Sequence, residues 1–523
     1  MTISQAPPLP PDTSRPPGFR GGWYTTGEPF VSASRASGVL TIPPAAVAVP
    51  ADADDVARIA RWAADRGVPL VPRGAGTGMP GGNVGSGVVV DLRKAFRRIV
   101  SVDPGRRRAV IEPGVTLAEL NAAVASHNLH FPVDPSSGER CTFGGMLANN
   151  SAGAHSVRYG ATRPWVAALE LITADGTQCR ITRQMGTDDE ALRRKLGRLR
   201  DRFTLDREEI LAVWPKVRKN SSGYPLREFL EGDDLDLFVG SEGTLALIVA
   251  AEVRLAPLPP ARGLALIELA DLDAVAVAVR RLLSLEPATC ELLDRTFLDL
   301  VRDAVSYPLP VGLEAVLLVE MEGESPAEVE QALTSIEGAV GDISRLTLTA
   351  DPEEQRRIWE IRHAASPLIA ERAGERVSMQ FIEDGVVPIS RLPDYIRMLR
   401  AVLAEAGLPA VIFGHAGDGN LHVNPLVDVA RPGWREHLER VLVRIAEGIA
   451  ELGGTLAGEH GDGRLRAPLL ETIWGREMTE RFRAVKATLD PKGILNPGVI
   501  IPLPGQRPLD AIRSYADRAT SSG

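Results

Sequence analysis

Residues 68–92 read VPLVPRGAGTGMPGGNVGSGVVVDL. Two short apolar runs, Val68–Val71 and Val88–Val90, read as strands, and the loop between them is dense in glycine. With Gly74, Gly76, Gly78, Gly81 and Gly82 it lacks most of the side chains that keep a ligand away from backbone. Its peptide N–H groups can turn inward together and cradle a pyrophosphate. No Gly-Lys-Ser/Thr follows, so this is not a Walker loop. A nicotinamide fingerprint would open a helix, whereas this run leads into another strand. Just upstream, Val47–Val49 reads as a strand and Asp52–Arg66 as a helix. Acidic Asp52, Asp54 and Asp55 occupy its first turn, Val56, Ile59, Ala60 and Ala63 form its apolar stripe, and Gly67 stops it. Strand, helix and strand make a βαβ unit that delivers the loop.

Further on, Thr116-Leu-Ala-Glu119 is a capping box opening a helix to about His127. A second glycine-rich segment, CTFGGMLANNSAGAHSVRYG at Cys141–Gly160, reads as turn backbone able to approach a ligand, with Arg158 available to a phosphate. A third, LFVGSEGTLALIV at Leu237–Val249, reads as strand, turn and strand. Between them lies a charged helical insertion, about 188–214, ending in KNSSGYP at Lys219–Pro225. The pattern changes after Pro257–Pro260. Leu264–Leu269 and Ala315–Glu320 read as strands, each followed by a helix-like stretch, which implies an α+β second domain with a mostly antiparallel sheet. A hairpin at Val411–Val427, a long amphipathic helix at Trp434–Leu452, and the segments GTLAGEHGDG and LDPKGILNPG complete the recognisable chain.

A length of 523 residues accommodates two or three domains. A net charge of −9 argues against nucleic-acid binding, so an anionic substrate must be held by local arginines or a metal. Cys141, Cys179 and Cys290 are scattered, which excludes a disulfide framework and any iron–sulfur cluster held by this chain alone. No apolar run approaches the length of a membrane span. The Pro-rich start lacks the basic and apolar regions of a signal peptide. A cytoplasmic location is the expectation, with peripheral contact to the inner face of the membrane left open.

His415 and His422 flank Gly417–Gly419 in the hairpin, so a loop that doubles back can aim both imidazoles at one point. Glu459 offers a hard oxygen, and two histidines with a carboxylate suit Zn²⁺ or Mn²⁺. Against this stands the commoner role of histidine as a satisfied core or surface residue. Three of only eight histidines fall in these two glycine-rich motifs, which favours the metal. His460 follows Glu459 directly, so in extended backbone the two face apart.

Taken together, RGAGTG, CTFGGMLANNSAG with RYG, GSEGTL, GHAGDGNLH, GEHGDG and LNPG, in that order, resemble the FAD-linked oxidase family of the vanillyl-alcohol oxidase / p-cresol methylhydroxylase superfamily. The branch oxidising D-2-hydroxy acids (D-lactate, glycolate, D-2-hydroxyglutarate) fits best. The resemblance implies an α+β chain with a two-part FAD-binding domain over 41–257 and a substrate cap over 258–453. A Pro-rich disordered arm (1–40) would precede them. A segment carrying the catalytic motif (454–505) and a fraying tail (506–523) would follow.

By the same resemblance, Pro72, Arg73, Gly74, Ala75, Gly76, Thr77 and Gly78 would wrap the pyrophosphate. Pro135, Cys141, Thr142, Gly144, Gly145, Asn149 and Gly153 would line the flavin. Glu242, Gly243 and Ile248 would touch ribityl or adenine, and Asn496 would return to the FAD domain. The loop from Arg73 to Gly82 has no histidine, so FAD is expected to bind non-covalently. His415, His422 and Glu459 match metal ligands, and His460 matches the base that takes the hydroxyl proton. Arg362 matches the clamp on the substrate carboxylate, with Ser366 one turn on and Asn424 two residues past His422 assisting. The glutarate-type enzymes carry a lysine ahead of the segment matching Phe381–Asp384. Here Val377-Ser378-Met379-Gln380 stands instead, with only Arg376 nearby. The wording also resembles the amino-terminal half of larger enzymes fused to an iron–sulfur domain. The implied partners are therefore a small 2-hydroxy acid and an acceptor: quinone, electron-transfer flavoprotein or a separate iron–sulfur protein. A homodimer is left open. The competing readings are a non-catalytic FAD-binding subunit and a sugar or lactone oxidase.

Overall fold

The strand–helix–strand unit expected around the glycine loop is present in the computed structural model, which describes residues 13–364, 368–369 and 376–515. Helix Ala53–Arg66 is capped by the Asp52 side chain, which accepts the Asp55 N–H, and ends at Gly67 in the left-handed region (φ 65°). Strands Ala46–Val49 and Leu70–Arg73 flank Val88–Asp91, all parallel, and Gly22–Tyr24 adds an antiparallel edge. The three parallel strands are nearly all buried, which is why they read as unbroken valine runs.

That antiparallel edge corrects the expectation of a disordered arm (1–40) for residues 13–40; residues 1–12 lie outside the described residues. From residue 13 onward the chain is docked: Phe19 is buried, and Trp23 packs edge-on between Phe19 and Trp62. Helix Gly27–Ala33 follows. The aromatic residues interspersed in the Pro-rich run supply apolar area that outweighs the ordering cost. Residues 506–515, expected to fray, are held as well. Leu509 and Ile512 are buried, and Arg513 donates its backbone N–H to the Val39 carbonyl.

A second, six-stranded antiparallel sheet runs in the order Gly186–Thr187, Gln178–Thr182, Val166–Ile172, Leu247–Arg254, Arg108–Ile111, Ile99–Asp103. Helix Leu117–Val124 starts on the expected capping box, with Thr116 and Glu119 bonding reciprocally. The insertion forms helices Glu190–Leu205 and Arg207–Val213. Two local readings are corrected. The Gly144-Gly145 pair lies inside a helix, Phe143–Asn149, rather than a turn. Apolar Phe143, Met146 and Leu147 are buried in the core of this sheet and override the glycines' poor propensity. Leu237–Val249 is not strand–turn–strand either: Asp234–Leu237 is a 3-10 turn, and the strand begins only at Leu247.

The third sheet has eight antiparallel strands, running from Arg345–Thr349 through Ala261–Leu269, Ala315–Gly323, Thr289–Asp294 and Ala410–His415 to Asn420–Val427. Val377–Ser378 and Glu383–Val386 both pair with the last of these. The period-2 alternation of side chains sends successive residues of Ala261–Leu269 into two cores. Ala265, Ile267 and Leu269 join helices Leu272–Leu283 and Pro326–Val340 on one face, while Leu264 and Leu266 join Arg295–Val301 and Pro352–His363 on the other. Both faces are thus covered, and the hairpin Ala410–Val427 carries His415 and His422 on its two arms.

The third sheet meets the first half of the chain through charged groups. His155 donates from Nδ1 to Asp134 (2.6 Å) and from Nε2 to Glu320 (3.1 Å). Arg158, expected to be free for a phosphate, instead pairs with Glu322 at 3.3 Å.

Candidate active site

A cavity of about 680 Å³ lies where the glycine loop, helix Phe143–Asn149, the Glu242–Gly243 turn and the third sheet converge. Seventeen of the eighteen positions expected to hold a cofactor line it: Pro72 to Gly78, Pro135, Cys141, Thr142, Gly144, Gly145, Asn149, Gly153, Glu242, Gly243 and Ile248. The eighteenth, Asn496, does not. Its amide instead donates to the Gly82 and Glu242 carbonyls and accepts from Arg464, clipping the cavity wall from behind. Arg73 contributes its backbone, because its guanidinium is bonded to the carbonyls of Asn83, Ser32 and Arg35. A cradle for a flat, phosphate-bearing ligand is recognisable in this wall. A Cβ at Gly74 would lie 2.4 Å from Thr142 Oγ1, and that hydroxyl is buried with no partner. Burial pushes the Cys141 thiol up to about 11, so it stays protonated at neutral pH.

At the other end of the cavity stand Arg362, His415, His422, Glu459 and His460. His415 Nε2 and His422 Nε2 are 3.4 Å apart, and Glu459 Oε1 is 3.3 and 3.4 Å from them. Three ligand atoms therefore form a nearly equilateral triangle that could hold a divalent cation. His415 Nδ1 pairs with the Glu291 carboxylate, so Nε2 is the nitrogen turned into the triangle. His422 Nδ1 is buried without a partner.

His460 does not face away from Glu459 as extended backbone would have it: its Nε2 lies 3.5 Å from the same Glu459 Oε1, and its ring stacks on His422 with centroids 5.5 Å apart. Its Nδ1 donates to Glu383 (2.8 Å) and its backbone N–H to Asp384 (2.8 Å), while a quarter of the side chain remains open to the cavity. Burial disfavours the imidazolium, but Glu383 and Asp384 outweigh it and raise the pKa to about 9. Glu383 is correspondingly held at about 2: burial opposes its ionisation, and the His460 and Arg466 charges prevail.

Arg362 closes the site. Its Nε donates to Glu291 at 3.3 Å and its guanidinium lies 4.4 Å over the Phe413 ring, so the outer nitrogens remain for a ligand. Asn424 does not line the cavity; it accepts from the Ser378 hydroxyl at 2.6 Å, which uses the amide oxygen expected to face substrate. Ser366 lies outside the described residues.

Several functional groups went unread in the sequence. Glu291 bridges His415 and Arg362, and it is a carboxylate 1% exposed between Cys290 and Leu292 in the fully buried strand Thr289–Asp294. Such a charge inside a buried strand is itself a signal. Lys219 stands in the segment KNSSGYP, and Glu383 and Asp384 in the segment Phe381–Asp384, but nothing in their spacing shows that they converge. Asp418 and Asp462, each set between glycines, also bond across the fold: Asp418 accepts from Ser156 Oγ, and Asp462 from the Gly223 N–H.

Comparison with known proteins places this architecture. An FAD-binding domain model matches residues 44–182, and the C-terminal domain model of FAD-linked oxidases matches 258–500. The glycolate oxidase subunit GlcD of Bacillus subtilis is 33% identical over 87% of this chain and 88% of its own length. The D-lactate dehydrogenase of Archaeoglobus fulgidus is 31% identical over 87% of this chain and 91% of its own length. The D-2-hydroxyglutarate dehydrogenase of Pantoea ananatis is 29% identical over 95% of this chain, but the match spans only 52% of that protein. Among solved structures, 4-ethylphenol oxidase from Gulosibacter chungangensis superposes with a TM-score of 0.67 over 92% of this chain and 94% of its own, at 18% identity, a likeness of fold alone. No helix among the described residues is long and apolar enough to cross a membrane. With an α+β architecture, an FAD-binding domain and relatives of this similarity, the chain belongs to the FAD-linked oxidases and is an FAD-linked oxidoreductase of the glycolate oxidase, D-lactate and D-2-hydroxyglutarate dehydrogenase branch.

Proposed function

We propose that the chain oxidises a D-2-hydroxy acid to the 2-oxo acid, with His460 taking the hydroxyl proton, Arg362 holding the carboxylate, and His415, His422 and Glu459 holding a divalent metal. The observation that carries this reading is the triangle of ligand atoms beside His460. A tetrahedral Zn²⁺ with bonds of about 2.0–2.1 Å sets its ligands about 3.3–3.4 Å apart. The three separations here are 3.4, 3.3 and 3.4 Å. Two imidazole nitrogens and a carboxylate oxygen turned on one another in a buried site form a donor set that would suit a divalent cation, beside the Lys219 ammonium that already pairs with the other oxygen of Glu459. The Glu291–His415 hydrogen bond is the outer carboxylate that metal-binding histidines use to fix tautomer and ring orientation.

The bound metal would supply Lewis acidity that lowers the alcohol pKa, and bound FAD the two-electron hydride acceptor. The chain's own residues do the rest. Glu383 holds the Nδ1 proton of His460, so Nε2 is the nitrogen that exchanges the second proton; with the pKa raised to about 9, the neutral form that would receive the hydroxyl proton is the one a cation bound beside it would favour. The Arg362 fork suits a planar carboxylate, and its anchoring by Glu291 and Phe413 leaves little side-chain freedom to lose on binding. Gln380 lines the cavity with a neutral amide while Arg376 is exposed, which favours a monocarboxylate over a dicarboxylate. A relative named as a subunit supports a separate acceptor chain for the reduced flavin.

The test is anaerobic bleaching of the flavin absorbance by a panel of D- and L-2-hydroxy acids, with and without prior chelation. Chelator-sensitive bleaching by D-acids alone is the expected result. Bleaching by both enantiomers, or bleaching indifferent to chelation, refutes the site described.

A further inference from the structure

Lys219 is a buried cation in the stretch between the two matched family domains, 3% exposed at its side chain. Its ammonium donates to Glu459 Oε2 at 2.5 Å and to Asn420 Oδ1 at 3.1 Å. Glu459 is thereby held from two sides. Asp384 accepts its backbone N–H, and the Asn420 amide, which steadies Lys219, donates in turn to the same Asp384 oxygen at 3.2 Å. The segment that carries Lys219 is strapped alongside: Ser221 donates its N–H to the Ala457 carbonyl, and Thr455 donates its hydroxyl to Asn220. One oxygen of Glu459 is committed to the ammonium, and the other faces His415, His422 and His460 at 3.3, 3.4 and 3.5 Å.

A metal accepting a carboxylate has two options, one oxygen or both. Ions that favour six or more ligands readily take both, whereas a closed tetrahedral site takes one. We infer that Lys219 is a positioning residue that keeps Glu459 one-toothed toward the metal and so sets the site's preference for a four-coordinate over a six-coordinate divalent ion. The inference rests on the metal reading proposed above. Lys219 touches neither substrate nor flavin in this assignment; it acts through Glu459.

The experiment uses the FAD-loaded full chain, stripped by chelation and titrated with Zn²⁺ and Mn²⁺ against a chromogenic chelator. Removing an outer partner of a ligand costs about 10–100-fold in metal affinity. Lys219→Met is therefore expected to weaken Zn²⁺ binding by that factor and to shift the Zn²⁺/Mn²⁺ preference at least about tenfold toward Mn²⁺, with Lys219→Arg restoring most of it. An unchanged preference in Lys219→Met, with wild-type protein taking up one ion per flavin, overturns the inference and leaves the metal site standing. Wild-type protein that binds neither ion overturns both. Should Lys219→Met not fold, infrared difference spectra of wild-type protein on Zn²⁺ addition decide instead. The wide carboxylate splitting of one-oxygen coordination is expected, and the narrow splitting of two-oxygen coordination would sink the idea.

Discussion

His155 offers a quantitative test of how the cap sheet is fastened to the rest of the chain. Its ring lies between Asp134 at 2.6 Å and Glu320 at 3.1 Å, with 17% of the side chain exposed. Burial opposes the charged form, but the two carboxylates outweigh it and raise the pKa from 6.5 to about 10. At about 1.4 kcal/mol per pH unit, the ceiling on the stabilisation is about 5 kcal/mol. Arg262, 3.6 Å from Glu320, already neutralises part of that charge. An effect of about 2–3 kcal/mol is the working expectation. Because the folded pKa is the higher one, this stabilisation is complete below pH 6.5 and disappears as pH rises through about 10. The perturbation is His155→Gln, which keeps a polar side chain but never carries the charge. Thermal melts followed by flavin fluorescence at a fixed scan rate, at pH 6, 8, 9 and 10.5, should show the variant several degrees less stable at the acid end. The gap should close toward pH 10.5. A gap that stays constant with pH, or widens, refutes the assignment of a charged bridge.

Three further outcomes are expected. His460→Ala should lower kcat by about 10²–10⁴ while retaining flavin, as loss of a general base does; loss of flavin from that variant contradicts the assignment. Gly145→Val should give folded protein with little flavin, since a Cβ there meets nothing nearer than Thr142 Oγ1 at 3.9 Å and so points into the cavity; full flavin content by absorbance would exclude this wall from the cofactor site. Glu291→Gln should reduce metal affinity by about 10–100-fold and raise KM for carboxylate substrates together, because one carboxylate orients both His415 and Arg362. A change in only one of the two would break the proposed link.

Much of the site was legible because its parts are local. The acidic first turn and Gly67 stop of the Ala53–Arg66 helix, the capping box at Thr116 and the hairpin around Gly417–Gly419 each lie within a few residues, and each formed where its chemistry indicates, Asp52 serving as the N-cap rather than within the first turn. Gly144-Gly145 was misread because propensity points to a turn. The deciding fact is tertiary: a Cβ at Gly144 would sit 2.8 Å from the Pro113 side chain, so the helix packs there only without one. Lys219, Glu291 and Glu383 were missed for a related reason. They approach Glu459, His415 and His460 across 240, 124 and 77 residues, and no local pattern encodes such distances. Asn424 failed in the opposite way: its strand face was right, but Ser378 on the neighbouring strand had already taken its oxygen.

Glu242 joins the two ends of the cavity. It lines the wall where the flavin is expected, and its carboxylate accepts the N–H groups of Asp462 and Gly463, two and three residues beyond His460. A Cβ at Gly461 would lie 2.7 Å from the Glu242 carboxyl carbon, so there is no slack between them. Under the function proposed above, flavin occupancy and metal occupancy are therefore expected to be thermodynamically linked through this carboxylate. Linkage is reciprocal: whatever factor flavin adds to metal affinity, metal adds to flavin affinity. Measuring flavin dissociation before and after chelation reads that single coupling constant from one side, and metal release before and after flavin removal reads it from the other.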